Sequence, residues 1–193
     1  METVVSMWGE NGERPEPSSV NDSLFAHFRA SVSVEVACPP AAAWDLVTDI
    51  GRIGEFSPEC IGARWMEGWS GPSVGARFEG TNRAFDETAD TEFIWIRPCT
   101  VTTAEAPGRF SYTVGDRYDG TPASSWDIEI EPIPTGCRIT QRFAHFARGL
   151  SGIRHQCDDD PDQAESIVKE RVEQLTAGMT QTLRRMKDLL ELS

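Results

Sequence analysis

The C-terminal end of the chain constrains its fold more than any other stretch. Val168, Val172, Leu175, Met179, Leu183, Met186 and Leu190 recur every three or four positions, which puts them on one stripe of a single helix. Ahead of the stripe stands Asp160-Pro161-Asp162-Gln163, which reads as a cap, a first-turn proline, an acidic first turn and a capping-box Gln. The spacing predicts a helix over 161–191, roughly 46 Å long at 1.5 Å per residue. Its repeat averages about 3.7 residues rather than the 3.5 of a coiled-coil seam, which favours packing against the chain's own sheet over a dimeric coil. Gly178 lies inside this helix. Glycine there costs about 1 kcal/mol relative to alanine, and it marks a close approach or a gap.

The partner for that stripe lies upstream. Phe28, Ala30, Val32, Val34 and Val36 alternate with polar or small residues, the pattern of a half-buried strand. Cys38-Pro39-Pro40 ends it, and Pro40 opens a short helix over 41–48 with Trp44 and Val47 on one face. Asp49 is placed to cap a second short helix near 50–56, carrying Ile50, Ile53 and Phe56. Six strand-like segments follow, near 60–67, 75–83, 91–104, 109–115, 124–132 and 136–147. Gly and Pro clusters break them, such as Pro107-Gly108 and Pro134-Thr135-Gly136. Tight turns with no helices between strands mean an antiparallel meander.

This order predicts an α+β fold: a seven-stranded curved antiparallel sheet wrapped around a long C-terminal helix, with two short helices after the first strand. A meander buries one amphipathic helix only by curving around it, and a cavity is expected where the widths mismatch. Residues 1–24, rich in Gly, Pro, Ser, Asn and Glu, read as a flexible tail. Residues 25–193 read as a single domain.

Charge narrows the function. Lys plus Arg number 18 against 31 Asp plus Glu, a net charge of −13. Such a chain repels phosphate backbones and anionic lipid surfaces, so nucleic acid and membrane are not expected partners. No apolar run approaches the ~20 residues of a membrane span, and no signal-peptide layout stands at the start; a cytoplasmic protein is expected. The five cysteines lack CxxC spacing and read as buried, reduced thiols. The Asp158–Asp162 run lacks a calcium-loop glycine and closing Glu, so helix capping, not metal, explains it. No metal or cofactor is expected.

The segments SVSVEVACPPAAAWDLVTDIGRIGEFSPECIGARW, GARFEGTNR, GRFSYTVG, GCRIT and LTAGMTQTLRRMKDLLE together resemble the SRPBCC superfamily, the START-related helix-grip group, and within it the polyketide cyclase/dehydrase and lipid-transfer branch. The resemblance covers about residues 28–191 in element order. It implies a helix-grip domain that binds lipids, sterols, polyketides or hormones, or that catalyses cyclisation or dehydration. The group shares no catalytic residue, so none is carried over.

Candidate site residues follow from alternation. Phe78, Gly80 and Asn82 share a face, which the apolar Phe78 places inward. Phe93, Trp95, Arg97, Cys99 and Val101 share another, in competition with Ile94 and Ile96, and Pro98 allows a bulge. A guanidinium facing a cavity clamps a carboxylate or stabilises an enolate. Ile139, Gln141 and Phe143 point inward, and His145 continues toward the strand end, near the pocket mouth, as a general acid/base candidate. The ligand-binding set is Phe78, Asn82, Trp95, Arg97, Tyr112, Trp126, Gln141, Phe143, Leu175 and Met179. The catalytic candidates are His145, Arg97 and Asn82, with Gln141 and Tyr112 beside them. Trp44, Trp65, Trp69, Trp95 and Trp126 are expected mostly in the core or pocket wall. Two functions remain open: binding of a hydrophobic, lipid- or polyketide-like molecule by a monomer or homodimer, and a small cofactor-independent cyclase or dehydratase acting in the same cavity.

Overall fold

The computed structural model describes residues 14–86 and 90–192. A 3₁₀ turn at Ser19–Asn21 leads into α1 (Asp22–Ala26), then β1 (Arg29–Val36), α2 (Pro40–Thr48), a 3₁₀ turn at Ile50–Arg52 and α3 (Ile53–Phe56). The meander follows as β2 (Cys60–Trp65), β3 (Arg77–Asp86), β4 (Thr91–Glu105), β5 (Arg109–Gly115), β6 (Pro122–Ile133) and β7 (Gly136–His145). The chain ends with α4 (Gly152–Asp159), a 3₁₀ turn at Pro161–Gln163 and α5 (Ala164–Glu191). This is the helix-grip arrangement that the periodicity predicts.

The seven strands form one antiparallel sheet in the order β1-β7-β6-β5-β4-β3-β2. Consecutive strands from β2 to β7 are neighbours, and β1 closes onto β7 with Val32 opposite Gln141 and Val34 opposite Ile139. Register shifts at Cys60/Gly62, Val101/Thr103 and Val114/Gly115 bend the strands, and such bulges increase local twist and curvature. Pro98 causes no shift: it pairs with Glu79 in an unbroken register.

Helix α5 lies across the concave face. Its close backbone neighbours are β1 and β7 at one edge of the sheet and α2, α3 and α4 on its other sides, so it bridges the sheet's rim more than it rests on its centre. Arg171 grips Glu59, between α3 and β2, through two contacts of 2.9 Å. The stripe divides between two apolar clusters. Leu183 and Met186 join Val36, Phe56, Phe78, Phe110 and Ile139, while Val168, Leu175 and Met179 join Phe25, Phe28, Phe143 and Cys157. Each buried Leu or Met contributes about 2 kcal/mol, which holds the helix in its grip. Gly178 faces Pro58, whose Cγ would stand 3.7 Å from an added Cβ. That is an ordinary van der Waals distance, so no close approach excludes a side chain at Gly178.

Several local expectations change. No capping-box bond forms: Pro161–Gln163 winds as 3₁₀, α5 begins at Ala164, and neither Asp160 nor Gln163 caps through its side chain. Asp49 likewise precedes its turn without a side-chain bond. Helix α4 was not signalled by periodicity; its cap is Ser151, whose Oγ accepts the Arg154 N–H at 3.1 Å. Trp69 is exposed rather than walled in. Of the expected tail 1–24, residues 1–13 lie outside the described residues, whereas Arg14–Leu24 dock on the domain. Arg14 pairs with the buried Asp116 at 2.8 Å, and the buried Asn21 donates to the Cys157 carbonyl at 3.0 Å.

Candidate functional site

Cross-strand pairing shows which side chains share the concave face, because partners in an antiparallel ladder point the same way. Starting at the β3–β4 hairpin end, Asn82 pairs with Trp95, Gly80 with Arg97 and Phe78 with Cys99. The next row runs Val101–Tyr112–Trp126–Phe143–Ala30, and the one beyond it Phe110–Ile128–Gln141–Val32. Arg97 thus belongs to the inward face, and the competing Ile94 and Ile96 are exposed on the outer one, at 39% and 52%.

The structure collects the ligand-binding candidates into three groups. Asn82, Trp95 and Arg97 stand together toward the hairpin. Phe78 and Tyr112 meet at 5.1 Å between ring centroids, with Trp65 5.5 Å from Phe78. Trp126 and Phe143 meet at 5.1 Å, and Leu175 and Met179 of α5 belong to the same cluster. Trp95, Arg97, Tyr112, Trp126 and Gln141 all point inward yet keep part of their surface accessible. A tightly filled core leaves no such surface on its own side chains.

The polar groups on this face are short of partners. Gln141 Oε1 is buried and accepts no hydrogen bond from any described residue. The Tyr112 hydroxyl has no hydrogen-bond partner among the described residues either. Burial, then the nearby Cys99 and Cys60, hold that phenol well above its usual range, so it is a neutral donor and not a base. Among the described residues Asn82 Nδ2 reaches only the Gly80 carbonyl, at 3.3 Å. Arg97 Nη1 donates to the Ile96 carbonyl at 3.1 Å, and the guanidinium forms no ion pair among the described residues. Burial and the like charge of Arg117 push its pKa down, while Asp116 and Tyr118 oppose that.

His145 has a different setting from the expected pocket mouth. It is 3% exposed, stacked on Phe28 with ring centroids 5.6 Å apart and tilted against Phe25 at 4.7 Å. Nδ1 stands 2.8 Å from the Phe146 carbonyl and Nε2 2.8 Å from Ser151 Oγ. A carbonyl only accepts, so Nδ1 carries the proton and Ser151 donates to Nε2. Burial lowers the pKa to about 4. Both ring nitrogens are therefore engaged, Nδ1 with the turn that follows β7 and Nε2 with the cap of α4. Cys60, which the alternation did not single out, also walls the inward face: its Sγ would lie 3.5 Å from a Cβ added at Gly80. Only the β2–β3 pairing brings it there.

The outer face of the sheet offers a groove of about 480 Å³ lined by Arg29, Ser31, Arg109, Ser125, Asp127 and Arg142, among others. It is open and charged, with Asp127 held by Arg109 at 2.7 Å and Arg142 at 3.0 Å. It lacks the apolar enclosure typical of small-molecule sites.

Residues 27–191 match the family model described as polyketide cyclase / dehydrase and lipid transport. The chain belongs to this family. A polyketide-cyclase-like protein of Corynebacterium glutamicum is 27% identical, with a TM-score of 0.60 over 86% of this chain and 92% of that one. A Mesorhizobium loti protein is 18% identical, with a TM-score of 0.56 over 86% of this chain and 98% of that one. The di-domain aromatase/cyclase of a steffimycin biosynthetic pathway is 12% identical, with a TM-score of 0.63 over 86% of this chain and 51% of that one. The last two share the fold alone. No functionally curated protein matches the chain. No helix of this polyketide cyclase/dehydrase family member is long and apolar enough to cross a membrane among the described residues.

Proposed function

We propose that this protein binds a hydrophobic, lipid- or polyketide-like molecule between the concave face of its sheet and α5. The observation that carries the reading is Gln141. A buried carbonyl oxygen left without a donor costs about 1–3 kcal/mol, and native structures rarely keep such atoms without reason. Gln141 sits between Ile128 and Val32 on the inward face, so a ligand hydroxyl or amide arriving there would satisfy it amid apolar walls. The unpaired Tyr112 hydroxyl offers a second contact of the same kind. A few polar anchors on an otherwise apolar lining is the usual make-up of a small-molecule site.

Native mass spectrometry of the purified protein, followed by solvent extraction, tests this. A co-purified apolar metabolite is expected, and the Gln141→Leu variant should retain less of it. A protein that neither carries such a molecule nor takes one up from an added apolar fluorophore would overturn the reading.

A cyclase or dehydratase acting in the same space is the second reading, in keeping with the family and with the neutral Tyr112 donor. It requires catalysis without His145, whose nitrogens are both committed. Recovery of a converted rather than an unchanged metabolite would favour it.

A further inference from the structure

We infer that the ligand carries a carboxylate, received near the β3–β4 hairpin by Arg97 and Asn82 beside the side-chain-free niche at Gly80. The inference rests on the binding reading above and names the chemistry of its ligand.

Three observations converge. First, Arg97 is an inward-facing, half-buried cation with no acidic partner among the described residues. The other buried arginine shows what this chain does with such a group: Arg154 is fully buried and holds Asp22 at 2.9 Å and Asp158 at 3.0 Å. Arg97 has one backbone carbonyl at 3.1 Å and no carboxylate at ion-pair distance among the described residues. A half-desolvated guanidinium recovers its lost hydration by pairing with an oxyanion. Second, Gly80 stands opposite Arg97 in register. A Cβ there would meet only Cys60 Sγ at 3.5 Å and Asn82 Nδ2 at 4.0 Å, so the position is open, and one of its walls is an N–H donor. Third, an apolar path leads away from it. Tyr112 pairs with Val101, four residues along β4 from Arg97, or ~14 Å at about 3.4 Å per residue. An acid with its head at Arg97 places an apolar body along this path, against Phe78 and Tyr112.

The charge points to a carboxylate over a phosphate. A single guanidinium and one amide match a monoanion, and Asp116 lies close enough to influence Arg97. In a chain of net charge −13, a dianion would meet more repulsion than one arginine offsets.

The test titrates 11-(dansylamino)undecanoic acid and its methyl ester by fluorescence against the full chain. The wild type should bind the acid at least tenfold more tightly than the ester. Arg97→Met should lose that preference by weakening the acid alone. Gly80→Ala, whose added methyl makes only ordinary contacts and so preserves the fold, should also reduce acid binding several-fold. Equal binding of acid and ester by the wild type would overturn the carboxylate assignment while leaving the apolar site intact. An acid preference that survives in both variants would overturn the roles of Arg97 and Gly80. Binding of neither probe would overturn the assignment together with the binding reading beneath it.

Discussion

Ser151 Oγ donates a 2.8 Å hydrogen bond to His145 Nε2 while accepting the Arg154 N–H at 3.1 Å. One hydroxyl thereby joins the end of β7 to the first turn of α4. The chain of donors runs from Arg154 N–H through Ser151 and the imidazole to the Phe146 carbonyl. It holds only while His145 is neutral.

Acid should weaken the fold through this imidazole. Its pKa falls from 6.5 to about 4 on folding, mainly through burial and also through Arg154, against the Phe146 bond. Above pH 6.5 both states are neutral and the full stability is present. As pH drops from 6.5 toward 4, the unfolded chain binds a proton that the folded one refuses, and roughly 3 kcal/mol is lost. Urea melts of the wild type and His145→Gln at pH 7.5 and 5 check this. The variant should show a smaller acid-induced fall, and parallel falls would remove His145 as the cause.

Arg154 anchors the N-terminal segment. Its guanidinium bonds to the Ser18 and Ala147 carbonyls and to Asp22 and Asp158, and it lies 4.9 Å over the Phe25 ring. Arg154→Met strands those partners and should cost about 3 kcal/mol. Limited proteolysis should then cut within residues 14–26 faster than in the wild type; unchanged cutting would mean the segment is held elsewhere.

Gln141→Leu should raise stability of the ligand-free protein by about 1 kcal/mol, since an orphaned buried acceptor disappears. A lower denaturation midpoint would show instead that Gln141 has a structural partner.

Gly149→Ala should be among the costliest single-methyl additions. The new Cβ would run into the Ala123 carbonyl oxygen and lie 2.7 Å from Ala123 Cα, and backbone cannot rotate aside as a side chain can. A loss of about 3 kcal/mol is expected from differential scanning calorimetry.

Iodoacetamide should label the native protein at Cys60 alone. Cys38, Cys99, Cys137 and Cys157 are buried, and Cys60 is half-buried. Burial further holds Cys137 up to about 12 and Cys157 up to about 11, far from the reactive thiolate. Mass spectrometry should count one slow adduct in buffer and five in denaturant.

Whatever repeats over short distances is legible in the sequence. Period-2 alternation is enough to place Phe78, Gly80 and Asn82 together on one face of their strand, because side chains of a strand must alternate. The stripe from Val168 to Leu190 likewise dictates α5 and the face it buries. What depends on partners far along the chain is set by the folded arrangement. It placed Arg97 rather than Ile96 on the concave side, through the pairing of Arg97 with Gly80. It drew Asn21 and Asp22 onto α4 through Cys157 and Arg154, more than a hundred residues away. It enclosed His145 between Phe25, Phe28 and Ser151, turning a residue that alternation pointed toward a pocket into a structural tie. Local periodicity specifies which way a side chain points; the atoms waiting there are supplied by distant segments, and their burial and charge set its chemistry.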